Sequence, residues 1–316
     1  MNTFWKDVRY SVRVLLKSPG FTLVAVFVTA LGIGANTAIF SVVNAVLLRP
    51  LPFEHSERLV QAMRVNASKG TTTTSHSFPN FADMRAQTSD AFEALAAYSD
   101  TDAALTGTGA PERVSGVEAS ADLFKVLGVG AKLGRAFAPD DERPGGAGVV
   151  VITQGMWQRR FGSDPEAVGR QIMLDGKPAT IVGVLPADFQ FPFINRTPEF
   201  FVPLDPQGEM EKQRGANWLD VMGRLREGVT RERAEGELRS SAARLEEQYP
   251  EDDAGRTVSL VSAQEQLVGS LRATLLVLLG AVGFVLLVAC ANVANLQLAR
   301  ASGRGREVAV RTALGA

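Results

Sequence analysis

The sequence is poor in the residues from which catalytic chemistry is usually built. Its 316 residues include one cysteine and two histidines, His55 and His76. No H-E-x-x-H, C-x-x-C or G-x-S-x-G occurs, which removes the common zinc, dithiol and serine-hydrolase signatures. One cysteine, Cys290, allows no internal disulfide, so any folded domain must be held by its own core. Charge is missing too, but only locally. No Asp, Glu, Lys, Arg or His occurs in the 28 positions from Phe21 to Leu48, or in the 27 from Ala273 to Ala299. A helix needs about 20 apolar residues to cross a hydrocarbon core of about 30 Å. Two membrane spans are therefore expected, at residues 21–48 and 272–299. The first run is too long for the apolar core of a signal peptide, and no A-x-A site closes it convincingly.

The formal net charge of −1 conceals a strong asymmetry. Residues 1–20 carry four Lys and Arg against one Asp, a net of +3, and residues 300–316 carry four Arg against one Glu, again +3. Residues 49–271 carry 24 Lys and Arg against 32 Asp and Glu, a net of −8. Basic residues beside membrane ends stay in the cytoplasm. Both termini are thus expected to be cytoplasmic and the middle exported to the periplasm. A large acidic domain with its basic residues at the membrane argues against nucleic acid as a partner.

Within the flanks and spans, the pattern is richer. In residues 1–20, Trp5, Val8, Val12, Leu15 and Leu16 recur at helical spacing among Lys6, Arg9, Arg13 and Lys17. This reads as an amphipathic helix on the cytoplasmic lipid surface, ended by Ser18-Pro19-Gly20; a plain basic flank is the other reading. In the first span Ala30, Gly34 and Ala38 are four apart, with Asn36 between them. The second has Asn292 and Asn295 at i, i+3. Small residues let helices approach closely, and buried amides need partners. Gly34, Asn36, Ala38, Asn292 and Asn295 are therefore candidate helix-packing residues, the alternative being polar groups tolerated near the interface.

Between the spans, an α+β domain is expected. Arg58–Val65 alternates like a strand, "SFPNFADMRAQT" reads as a helix and "FEALAAYSDTDAALTG" as a second strand. Later, "WLDVMGRLREG" is a strand and "TRERAEGELRSSAARLEEQY" a helix. That helix has Thr230 as N-cap, a stripe of Ala234, Leu238, Ala242 and Leu245, and Pro250 as its close. "RTVSLVSAQ" supplies a fourth strand. Strand–helix–strand twice is the split βαβ pattern of ferredoxin-like modules, here at residues 49–110 and 207–271. Residues 111–206 differ in texture. Asp175-Gly176 marks a hairpin turn, Thr153 caps a short helix after "GVVVI", and Ser163 with Glu166 suggests a capping box. This stretch is expected to be a β-rich insertion. "RPGGAG" lacks the G-K-[ST] needed to grip a nucleotide, and the acidic runs "DDERPGG" and "EDDAG" lack calcium-loop spacing. No cofactor, metal or catalytic site is expected. The last stretch, Arg304–Ala316, reads as a helix with Glu307 and Arg311 paired at i, i+4 and Val310 and Leu314 as an apolar edge.

Several stretches together resemble one family. "VRYSVRVLLKSPGFTLVAVFVTALGIGANTAIFSVVNAVLLRPLPF", "VSGVEASADLFKVLGV", "GRAF", "VVVITQGMWQRRFG", "VGRQIMLDGKPATIVGVLP" and "RGREVAVRTALGA" occur in an order similar to that of FtsX-like permeases of the MacB type. The nearest resemblance is to the duplicated orphan permeases of acidobacteria. The resemblance implies a type VII ABC transporter membrane subunit. It would have four spans and a periplasmic domain divided into a ferredoxin-like porter part and a β-rich sabre insertion. Such subunits dimerise, are driven by a cytoplasmic ATPase, and can meet a periplasmic adaptor. By this likeness residues 300–316 begin the coupling helix that rests on the ATPase, giving Arg306, Glu307, Val310, Arg311 and Leu314 as candidate coupling residues. The family's third and fourth spans lack counterparts here, so a truncated chain is expected. The expected function is transmission of ATP-driven motion to the periplasmic domain, without catalysis. A membrane-tethered periplasmic assembly or sensing module is the rival.

Overall fold

A computed structural model describes residues 5, 9, 19–44, 47, 49–66, 69–107, 109–142 and 148–313, with residues 296–313 described by their backbone. The chain divides into two compact units, residues 1–49 with 268–316, and residues 50–267.

The first unit is helical. α1 (Pro19–Val43) and α7 (Ala263–Ala313) contain stretches long and apolar enough to cross a membrane, Val26–Val43 and Arg272–Asn292. Their apolar side chains point outward: Leu23, Phe27, Leu31 and Phe40 on α1, and Val277, Phe284 and Leu287 on α7, are all exposed. Pro19 and Gly20, expected to end a preceding helix, are the first two residues of α1, and residues 10–18 before them lie outside the described residues. Proline is tolerated there because first-turn amides lack intrahelical acceptors anyway. Of the expected amphipathic helix, only Trp5 and Arg9 fall among the described residues, and both are helical and exposed.

The second unit is built on one twelve-stranded sheet among the described residues, ordered β12-β1-β11-β4-β5-β10-β7-β9-β6, with β2 (Thr71–Thr73) on β1, β3 (Ser75–His76) on β11, and β8 against β4 and β9. Its first part comprises β1 (Leu59–Asn66), α2 (Phe78–Gln87), β4 (Phe92–Thr106), β11 (Leu219–Leu225), α5 (Arg231–Gln248), the one-turn α6 (Pro250–Asp253) and β12 (Arg256–Ser262). Numbered in their own chain order, these four strands lie 4-1-3-2, every neighbouring pair antiparallel. Ser77 and Thr230 cap α2 and α5 by accepting the backbone N–H three residues on, each worth about 1 kcal/mol. α2 and α5 cover one sheet face. Phe81 and Met84, with Ala234, Leu238 and Ala242, pack on Val60, Leu95, Val221 and Leu260.

β4 is the common member of the whole sheet. Its first half pairs with β11 and, from Tyr98 to Leu105, it pairs with β5 (Glu112–Ala119). Residues 111–206 thus extend the same sheet through β10 (Phe200–Pro203), β7 (Val149–Ile152), β9 (Lys177–Val184) and β6 (Leu133–Gly134). β10 on β5 and β7 on β9 are parallel. Gly116 admits this packing, because a Cβ there would stand 2.3 Å from the Phe200 ring. β8 (Gln171–Leu174) joins β9 through Asp175 and Gly176, both at positive φ, 48° and 76°, as a two-residue hairpin turn requires. Thr153 caps α4 (Gln154–Phe161). The Ser163–Glu166 capping box does not form. Ser163 is left-handed at φ 63°, and Asp164 instead accepts the Glu166 N–H. Asp164 sits closer to the turn, and its carboxylate is the stronger acceptor.

A second core fills the sheet face opposite α2 and α5. There Leu59, Ala96, Tyr98 and Met222 meet Leu123, Phe124 and Leu127 around α3 (Leu123–Leu127), together with Phe191 and Phe201. The four-stranded part is therefore buried on both faces. At the sheet's end, β12 pairs only with β1 along the strand order, and the Leu260 N–H donates to Glu235 Oε2 of α5 at 2.9 Å.

Candidate functional site

In the helical unit, α1 and α7 meet at a backbone-level contact. Asn36 Nδ2 donates to Val282 O of α7 at 3.2 Å and to Gly32 O of its own helix at 3.0 Å. One turn earlier, Gly32 has no room to spare. A Cβ there would lie 3.2 Å from Leu286 Cδ1 and 3.7 Å from Ala289 Cβ. A small residue permits the approach, and an amide four residues on uses it; this is how helices associate where no hydrophobic force operates between them.

The other expected packing residues lie elsewhere on the helices. Gly34 and Ala38 are exposed, with open space where a Gly34 side chain would be, and Asn292 and Asn295 are exposed on α7. The small residue at the close contact is Gly32, two positions from the glycine singled out by the four-residue spacing. Arg306, Glu307, Val310 and Arg311 lie on the helical backbone of the last turns of α7, which continues without a break from the apolar stretch. Leu314 lies outside the described residues.

The globular unit holds polar groups at depth, most of them bonded to other parts of the fold. Arg224 of β11 is 4% exposed. Its Nε donates to Val126 O at 2.7 Å and its Nη1 to Glu54 O at 2.9 Å. His76 is 2% exposed, and its Nε2 lies 3.2 Å from Ala62 O. Burial lowers its pKa to about 4, so the ring is neutral at pH 7. A neutral imidazole facing a carbonyl must carry its proton on that nitrogen. Beside it, Asn80 Nδ2 donates to Asp253 Oδ1 at 2.8 Å, and Arg214 bonds Asp83 at 2.8 Å while stacking over Tyr249. Glu118 stands in a cleft of about 470 Å³. Its pKa is raised by burial first, then by the like charge of Glu211. Among the described residues no three His, Cys, Asp or Glu side chains gather as metal ligands. The arrangement offers helix contacts and a braced sheet.

The comparisons with known proteins agree on where this architecture occurs. Residues 22–241 match the family described as MacB-like periplasmic core domain. A macrolide export ATP-binding/permease protein MacB from Burkholderia thailandensis is 28% identical over 200 residues, 61% of this chain and 29% of the relative. A probable export ATP-binding/permease protein MacB from Pseudomonas entomophila is 26% identical over 234 residues, 69% of this chain and 33% of the relative. The chain thus spans about a third of the length of these curated relatives. Among solved structures, the periplasmic region of MacB from Actinobacillus actinomycetemcomitans superposes with a TM-score of 0.50 at 12% identity, covering 69% of this chain and 94% of that one.

Proposed function

The chain belongs to the MacB-like periplasmic core domain family, and we propose on that footing that it is the permease component of an ABC transporter. A cytoplasmic ATPase moves its membrane helices, and the motion is delivered to the periplasmic domain for export or envelope work. The observation that carries this reading is the family match joined to two flanking helices of membrane length, bonded to one another through Asn36. The relatives' names combine ATP-binding and permease functions in one protein, which supports an ATPase as the partner. In this reading both termini are cytoplasmic. The 4-1-3-2 antiparallel order with both helices on one face supports a ferredoxin-like porter part, and residues 111–206 supply the sabre insertion. Arg306, Glu307, Val310, Arg311 and Leu314 touch the ATPase. The exposed Gly34, Ala38, Asn292 and Asn295 face further helices, in a dimer or in additional spans.

The test is reconstitution in lipid nanodiscs with an ABC ATPase from the same organism. ATP hydrolysis should rise when the chain is present. Glu307→Lys should abolish the rise while leaving stability within about 0.5 kcal/mol, the worth of an exposed i, i+4 pair. Unchanged hydrolysis in the presence of correctly inserted protein would sink the transport reading and leave the tethered assembly or sensing module.

A further inference from the structure

The deeply buried Arg224 bears on how the domain is gripped by the chain that enters it. Among the described residues no carboxylate is bonded to it, and its Nη2 has no hydrogen-bond partner. Taking a guanidinium out of water on these terms is less favourable than placing an apolar side chain of similar length there. Packing alone therefore gives no reason for an arginine. What it does, and a methionine cannot, is hold two carbonyls from separate pieces of chain. Val126 O lies in the last turn of α3, where the unpaired carbonyls of a helix C-terminus favour a cation. Glu54 O belongs to the segment that leads from α1 toward β1.

A second arginine returns the grip. Arg58 Nε donates to Leu225 O at 2.7 Å, and its Nη2 pairs with Glu93 of β4 at 2.5 Å. Residues 54–58 and 224–225 thus exchange side chain–carbonyl bonds in both directions. Phe53 is buried in the same core, stacked 6.2 Å from Phe193. Gly128 gives the guanidinium its space, since a Cβ there would stand 3.1 Å from Nη2.

The opposite connection is held differently. At the root of α7 the Glu265 N–H donates to Ser262 Oγ at 3.0 Å and Ala263 is buried. Gln266 and Leu267, however, border a cavity of about 160 Å³ shared with Gln61, Thr74, Tyr98 and Asp220. One connection is bonded by two arginines that donate to carbonyls, and the other is held by a hydroxyl and a longer Arg231–Glu265 ion pair of 3.6 Å beside open volume.

We propose that Arg224 is a mechanical clasp, a positioning residue through which displacement of residues 50–58 is passed to β11 and α3 together. Because β11 belongs to the four-stranded part and α3 to residues 111–206, a pull on that segment moves both. The inference rests on the reading of the chain as an ATP-driven permease, but the clasp itself can be tested without an ATPase.

The experiment uses the full chain in nanodiscs, comparing the wild type with Arg224→Met and Arg224→Lys by hydrogen exchange and by stimulation of the ATPase. In Arg224→Met the amides of residues 53–58 should exchange at least tenfold faster while β12 and α5 keep their protection. ATPase stimulation should fall about tenfold. Arg224→Lys, which can hold only one of the two carbonyls well, should fall between. Unchanged exchange at residues 53–58 would overturn the clasp, and so would equal loss of protection across the whole domain. Local opening with full stimulation would overturn its part in transmission. If the wild type itself stimulates nothing, the permease reading fails, and the exchange data still decide the clasp.

Discussion

His76 and Glu118 show how burial acts on single residues with opposite sign. His76 has its folded pKa lowered to about 4 from an ordinary 6.5. Between those values the unfolded chain binds the extra proton, so stability is complete above pH 6.5 and falls as the pH drops toward 4. The loss should be about 3 kcal/mol, read from urea unfolding of the wild type against His76→Gln, whose curve should be flatter over that window. Parallel curves would mean the ring is not excluded from water as described. Glu118 has its pKa raised by burial, so its ionised form opposes folding and stability is gained as the pH falls through the folded value. Glu118→Gln should therefore melt higher than wild type at pH 7, with the difference shrinking as the pH falls through the raised folded value and gone below about 4.5. A lower melting temperature at pH 7 would mean the carboxylate is held by partners that outweigh its desolvation. Arg224 was not legible in the sequence. In "LDVMGRL" it alternates with Leu219, Val221 and Leu225, which pack toward the helices, so the pattern assigns Asp220, Met222 and Arg224 to water. The second cover, α3 with Phe191 and Phe201, comes from more than twenty residues earlier in the chain, and no local period announces it.

Among the elements, those with a strong local signal stand where the pattern puts them. The Thr230 cap and the stripe Ala234, Leu238, Ala242 and Leu245 are a 3.6-residue period with a start signal, and all four stripe residues are buried. Leu238→Asp should cost roughly 4 kcal/mol or more, since a lone carboxylate enters an apolar site; a loss under about 1 kcal/mol in urea unfolding would contradict the packing. The contact between α1 and α7 was half legible. Asn36 was visible as an amide in an apolar run, whereas Gly32 was hidden by the regular Ala30, Gly34, Ala38 spacing, because close approach depends on the partner's surface as well. Gly32→Leu should push the helices apart, while Gly34→Leu, entering open space, should not. Spin labels at Phe40 and Val285 would read this as a lengthened distance in the first variant alone; equal behaviour of the two would refute the assigned contact.

For the whole molecule, the charge split of +3, −8 and +3 is the feature that fixes expectation most strongly. Thr72→Cys in β2 (Thr71–Thr73), combined with Cys290→Ala, should label in intact cells with a reagent that cannot cross the inner membrane. Labelling only after that membrane is opened would reverse the orientation. The number of sheets was not legible at this scale. Residues 111–206 look like an independent insertion because their turns and hairpin are self-contained, but strand pairing is a long-range property, and here it runs through β4. That shared strand limits how such domains can be recombined. A foreign insertion grafted onto this one would have to arrive in phase with Tyr98–Leu105, since side chains alternate faces at every residue. A slip of one position would turn Ala103 and Leu105, now buried, out of the core that they close. Exchange of the insertion between relatives is thus confined to replacements that keep this parity, however freely the loops beyond it vary in length.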